Sequence, residues 1–256
     1  MKITILVDNI SEKNFKDEHG FSLLLEIDNK RILLDTGKGD ALFHNVVEMG
    51  VKLNNLDAIV LSHGHYDHGG NLASVLDENP QAILYVHPES TIPRYSIRDG
   101  IGCHSIALSH RDKHAIFDRP ADKISWCNSA TKISDTVWVT GEIPRSSKYP
   151  IGDESLFLDP EGVSVDTVAD DMSLWIETDS GLVIISGCCH SGLENTIDHI
   201  KKVTGENKIR AVIGGFHMSY LSEDRNVEII KYIKSLSCEL IVPAHCTGRD
   251  AAKLME

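Results

Sequence analysis

His63, His65, Asp67 and His68 put three imidazoles and a carboxylate into six residues of the run Leu61-Ser62-His63-Gly64-His65-Tyr66-Asp67-His68-Gly69-Gly70. The apolar stretch Ala58-Ile59-Val60-Leu61 that leads into it reads as a buried strand. Alternate residues of an extended segment point to the same side, so His63 and His65 can grip one metal ion together. Asp67 and His68 follow as the chain bends into a helix, where they reach toward a second ion. Neutral imidazole with carboxylate suits zinc, iron or manganese and leaves positions open for water. The bland alternative is a solvated polar turn, and four candidate ligands at this density argue against it.

The elements that must position these residues form two similar halves. In the first, alternating apolar residues at 3 to 7 give a strand, and Phe21 to Ile27 with Arg31 to Leu34 form a hairpin around Asp28-Asn29-Lys30. Asp35-Thr36-Gly37 ends that hairpin, and Asp40 is placed to cap a helix running to about Met49 and stopped by Gly50. The metal-motif strand, a helix near 70 to 78 and a strand from Ala82 to Val86 follow. In the second half, Ser173 to Glu177 and Leu182 to Ser186 flank a turn. Ser191 and Glu194 have capping-box spacing at the start of a helix. Ile209 to Ile213 is the next strand, Ser222 caps a helix to about Leu236, and Glu239 to Val242 is the last strand. Each further polar cluster follows a strand end: Gly187-Cys188-Cys189-His190, Phe216-His217 and Pro243-Ala244-His245-Cys246. Loops converging at a sheet edge are where sites are built. The expected organisation is a single domain over 1–256 with an insertion at about 88–170, rich in Pro, Gly and charge.

Composition narrows the function classes. With 256 residues, 41% of them hydrophobic, the chain can bury a sizeable core. A net charge of −13 offers no basic footprint for nucleic acid, so none is expected as a partner. The opening Met1-Lys2-Ile3-Thr4-Ile5-Leu6-Val7 is too short for a signal peptide and soon meets Asp8, and no apolar run approaches a membrane span. The six cysteines show no CxxC spacing and read as reduced thiols. The expectation is a cytoplasmic protein acting on a small molecule without membrane association; a homo-oligomer stays open.

Asp35-Thr36-Gly37, His63 to His68 and the late His245 together resemble the metallo-β-lactamase superfamily. Further segments are similar to the branch labelled 7,8-dihydropterin-6-methyl-4-(β-D-ribofuranosyl)aminobenzene-5′-phosphate synthase. They are Val7-Asp8-Asn9, His19-Gly20-Phe21-Ser22, Gly141-Glu142-Ile143-Pro144-Arg145, Asp170-Asp171, Gly187-Cys188-Cys189-His190, Gly214-Gly215-Phe216-His217 and His245-Cys246-Thr247-Gly248. The resemblance implies an α/β fold, a four-layer αβ/βα sandwich of two mixed sheets with helices on the outside. It implies His63 and His65 as ligands of a first metal, Asp67, His68 and His245 as ligands of a second, and Asp35 as the carboxylate that props the histidine loop. An earlier histidine of the superfamily has no counterpart, since the stretch where it belongs holds Asp170 and Asp171. The bridging aspartate falls near Cys188, and His190, two residues on, is expected to close a site with His63 and His65. Cys188 is either a thiolate ligand or a buried thiol behind the site.

The chemistry expected of two divalent ions per chain, zinc first and iron or manganese as alternatives, is attack by a metal-activated water on a small ester, lactone or phosphorylated metabolite. Asp67 orients the nucleophile, and His217 is a candidate general acid or phosphate ligand. Glu142 and Arg145 are candidates for substrate contact, an Arg fork suiting a planar anion. His104, His110 and His114, with Arg94, Arg98 and Arg111, form either an anion-binding lid or a solvated face. Two further classes stay open. One is a condensing synthase joining a dihydropterin diphosphate to a ribofuranosyl-aminobenzene phosphate. The other is a metal or redox sensor built on Cys188 and Cys189.

Overall fold

Asp28 and Asn29 adopt left-handed backbone, with φ of 53° and 55°. A two-residue hairpin turn of type I′ needs that conformation at both central positions, and Asp and Asn tolerate it. They join the antiparallel strands Ser22–Ile27 and Lys30–Leu34, with Ile27 opposite Lys30. The computed structural model describes residues 1–12, 14–149 and 155–255; the part of the expected insertion at 150–154 lies outside them. Its contacts divide the chain into two compact units, Met1–Cys127 with Ser155–Asp166, and Asn128–Glu154 with Thr167–Glu256.

The first unit is built on a six-stranded sheet in the order Lys2–Val7, Ser22–Ile27, Lys30–Leu34, Ala58–Val60, Ile83–Val86, Ile124–Trp126. From Lys30–Leu34 onward the strands are parallel. Parallel strands are covered on both faces, which is why these read as short unbroken apolar runs. Helices Ala41–Glu48 and Leu72–Glu78 contribute Leu42, Val46, Leu72, Val75 and Leu76 to a core shared with Leu24, Leu33, Ile59 and Leu84. A smaller sheet holds Leu156–Phe157, Tyr95–Arg98 and Gly102–Ser105. Arg94, expected on a lid or a solvated face, is instead fully buried. It donates to the Glu89 carbonyl at 3.3 Å and lies 3.6 Å from the Asp166 carboxylate, so an ion pair draws it inward.

The second unit carries another six-stranded sheet, in the order Leu240–Ala244, Ile209–Gly215, Leu182–Ser186, Ser173–Ile176, Val137–Val139, Thr131–Lys132. Its first three strands are parallel and the others antiparallel. Helices Leu193–Thr204 and Glu223–Ser235 bury Ile197, Ile200, Ile229 and Ile233 in a core with Trp175, Ile184 and Val212.

The helix starts hold two corrections. Asp40 stands at the N-cap position, but its carboxylate takes Lys16 Nζ at 2.5 Å and makes no capping bond. Glu18, from a distant loop, accepts from the first helical amide, Ala41, at 3.3 Å and from the Lys38 and Gly39 amides just before the helix at 2.7 and 3.0 Å. The capping box at Ser191 and Glu194 does not form. Gly192 at φ 86° occupies the cap, the Ser191 amide donates to Asp171, and Glu194 is buried against Arg225 at 2.7 Å. Ser222 caps its helix as expected, its hydroxyl accepting from the Arg225 amide.

Candidate metal centre

In the first unit the parallel strands bring the residues after their C-terminal ends to one edge of the sheet: Asp35 after Leu34, the histidine run after Val60, His87 after Val86. Asp35 is the hub. It is fully buried with φ 58°, an uncommon conformation for a residue with a side chain and one that clusters at functional sites. One carboxylate oxygen accepts from the Ser62 amide at 2.7 Å. The other accepts from the Ser62 hydroxyl and from His68 Nδ1, both at 2.7 Å.

This arrangement determines which ring nitrogens carry protons. A carboxylate only accepts, so His68 holds a proton on Nδ1, and as a neutral ring it presents Nε2 as an acceptor. Ser62 spends its single hydroxyl hydrogen on Asp35, so His63 Nδ1, 2.9 Å from that hydroxyl, is the donor of the pair. His63 Nε2 is therefore also an acceptor, and it lies 2.9 Å from His65 Nδ1. One carboxylate thus sets two imidazoles in the tautomer a metal requires. Asp67 Oδ2 sits 3.7 Å from His68 Nε2 and 3.2 Å from His19 Nε2. Position 64 has no room for a side chain: a Cβ there would stand 2.0 Å from the Ser90 carbonyl oxygen.

In the second unit three parallel strands end side by side. Cys188, Cys189 and His190 follow Leu182–Ser186, His217 follows Ile209–Gly215, and His245 and Cys246 follow Leu240–Ala244. Cys189, His217 and His245 all take left-handed backbone, with φ of 65°, 52° and 48°. Hydrogen bonds stitch the loops together: the Gly215 amide to the Gly187 carbonyl at 3.1 Å, the Phe216 amide to the Thr247 hydroxyl at 3.0 Å, and the His217 amide to Cys246 Sγ at 3.3 Å. The His190 and His217 rings have centroids 4.2 Å apart. Ligand atoms of Cys188, His190 and His217 lie within 4.8 Å of one another, as do those of Cys188, His245 and Cys246. Asp171 braces this loop much as Asp35 braces the first, accepting from the Ser191 amide at 2.8 Å. Burial raises its pKa, against the lowering effect of that bond and of the Arg145 charge.

Residues 16–161 match the model of the metallo-β-lactamase superfamily. The chain belongs to that superfamily. It is 33% identical over 250 residues to an uncharacterized protein of Methanocaldococcus jannaschii, MJ0448, covering 97% of this chain and 91% of that one. It is 29% identical over 272 residues to the 7,8-dihydropterin-6-methyl-4-(β-D-ribofuranosyl)-aminobenzene-5′-phosphate synthase of the same organism, covering 99% and 90%. Among solved structures, Tm1679, described as a metal-dependent hydrolase of the β-lactamase superfamily, superposes with a TM-score of 0.81 at 28% identity, covering 98% of this chain and 90% of that one. The architecture is accordingly the metallo-β-lactamase fold, a mixed α/β arrangement of mixed sheets and helices.

Metal binding is a property of the metallo-β-lactamase superfamily, and the donors fit it. The first unit gathers His63, His65, Asp67 and His68 on one loop, with Asp35 holding His68 directly and His63 through Ser62, a borderline-hard set of imidazole and carboxylate. The second gathers Cys188 with His190 and His217, and Cys188 with His245. The proposed substrate residues are occupied differently. Glu142 is exposed, and the Arg145 guanidinium donates to the carbonyls of Thr167 and Val168 at 2.5 and 2.8 Å. Three residues beside these clusters carried no assigned role in the sequence. His19 contacts Asp67, Asp171 braces the His190 loop, and Cys246 joins Cys188. Each lies inside a segment that carries the resemblance to the pterin-synthase branch, which is the available signal. Burial opposes ionisation of Cys246, yet bonds from Cys188 and His217 and charge on His245 and His217 hold its thiol well below the ordinary range. Cys189 goes the other way, its thiol pushed well up by burial and by the charge of Asp171. Among the described residues no helix is long and apolar enough to cross a membrane.

Proposed function

We propose that this chain is a metal-dependent hydrolase of a small ester, lactone or phosphorylated metabolite. Its metal ligands are His63, His65, Asp67, His68, His190 and His245, its metal a divalent ion with zinc first, and its stoichiometry two per chain. The observation that carries the reading is the Asp35 hub, which through Ser62 and His68 leaves His63 Nε2 and His68 Nε2 both as acceptors. A structural histidine needs no such arrangement, whereas a metal ligand does. When bound, the metal supplies Lewis acidity and a hydroxide nucleophile at neutral pH. Asp67, held between His19 and His68, would orient an attacking water and take up the proton that this water gives up. His217, on the loop after Gly215, donates a proton to the leaving group. The negative overall charge favours a small soluble substrate over a polyanionic polymer.

The full-length similarity to the pterin synthase supports a second reading, a condensation of a dihydropterin diphosphate with a ribofuranosyl-aminobenzene phosphate. That reaction needs no attacking water, so the two readings separate in one experiment. Zinc-loaded protein is assayed against phosphodiesters, phosphomonoesters and lactones, and in parallel for condensation. Hydrolysis that disappears on chelation supports the first reading. Condensation without hydrolysis overturns it in favour of the second.

A further inference from the structure

Cys188 and Cys246 are buried thiols on loops that follow two strands which are not neighbours in the sheet. The strand between them, Ile209–Gly215, ends at Gly215. A Cβ there would stand 2.7 Å from Cys246 Sγ and 3.3 Å from the Cys188 Cα. The missing side chain is what lets the two cysteines meet across the central strand. His245 completes the group: its ring, Cys188 Sγ and Cys246 Sγ offer ligand atoms all within 4.8 Å. The Cys246 sulfur also accepts the His217 amide at 3.3 Å and, as a thiol, donates to the Cys188 carbonyl at 3.4 Å, so both loops already converge on it.

We infer that the second unit holds a metal ion through two thiolates and an imidazole, Cys188, Cys246 and His245. The inference deepens the metal-dependent reading above and rests on it: it adds Cys188 and Cys246 to the donors named there and groups His245 with them. Thiolate donors select zinc, copper(I) or cadmium over magnesium, calcium or manganese. Atoms sharing one zinc at bond lengths of about 2.0–2.3 Å sit roughly 3.2–3.8 Å apart, so small side-chain rotations close the site. Ion binding releases the two thiol protons to solvent as two sulfur–metal bonds form, and no redox change is involved.

The test is X-ray absorption at the zinc edge on the full chain loaded with zinc chloride. The expected result is two sulfur scatterers per chain at about 2.3 Å. Cys188→Ser and Cys246→Ser should each remove one, and the pair both. The double variant His63→Ala/His65→Ala should keep both sulfurs on its remaining zinc. Cobalt(II) titration of the unaltered protein gives a readout that needs no variant, a near-ultraviolet thiolate-to-cobalt charge-transfer band. A zinc shell of nitrogen and oxygen alone, with no such cobalt band, overturns the inference while leaving His63-dependent hydrolysis standing. Loss of the sulfurs in the His63→Ala/His65→Ala variant overturns the claim that the second unit holds the ion by itself.

Discussion

The two units gather candidate ligands by different means. The first takes four from one loop, residues 63 to 68, and orients two of them, His63 and His68, with a single buried carboxylate. The second takes them from the ends of three parallel strands, each turned by a residue in left-handed backbone. The donors differ accordingly, imidazole and carboxylate in the first against imidazole and thiol in the second. A contiguous loop fixes its ligands by local covalent geometry and a few hydrogen bonds. A dispersed set depends on sheet register, and on small residues such as Gly215 where neighbouring loops converge. The first design needs one distant partner, Asp35; the second needs three strand ends in register.

The comparison can be broken or sharpened by experiment. The largest effect expected is from His63→Ala with His65→Ala, which should abolish hydrolysis and lower metal content by elemental analysis; a metal-replete, active double variant would remove the first cluster from the account. His217→Ala should retain its metal yet slow turnover by about 10²–10⁴-fold, the usual contribution of a general acid. Unchanged kcat would remove His217 from the proton transfer. Asp35→Ala should weaken metal affinity by about 10–100-fold, because the tautomers of His63 and His68 are then no longer imposed; competition with a chelator of known affinity measures it. Asp171→Ala leaves the Ser191 amide without its acceptor, and should cost about 1–3 kcal/mol in denaturant unfolding. If it costs nothing, the parallel with Asp35 fails. The smallest effect concerns Cys189, whose thiol burial pushes up. In native protein iodoacetamide should label exposed Cys103 and leave Cys189 unmodified, as mass spectrometry would show.

The same contrast explains what could be read from the sequence. The histidine run and Asp35-Thr36-Gly37 were legible because their chemistry is contiguous or sits at the end of an apolar strand. His190, His217 and His245 were legible as positions, since each follows a strand end. Their partners were not, because these arise from pairing over long separations. Cys246 donates to the Cys188 carbonyl across 58 residues, and Asp171 reaches Ser191 across 20. The capping box at Ser191 was misread for the same reason: a local motif was outbid by a buried carboxylate from a distant loop. Arg94 misled in the opposite direction, a charged residue in a polar stretch drawn inside by Asp166. Where polar groups compete for partners, the tertiary fold decides, and spacing alone cannot anticipate it.

The central claim is that metal held on the Asp35-buttressed histidines drives hydrolysis. Its most direct test is to strip the full chain with chelator, count metal equivalents, and follow phosphodiester and lactone hydrolysis as zinc is added back. The account predicts hydrolysis that vanishes with the metal and returns in proportion to it, reaching its plateau at two equivalents per chain. Hydrolysis indifferent to metal content, or a fully loaded protein that hydrolyses nothing, would contradict it.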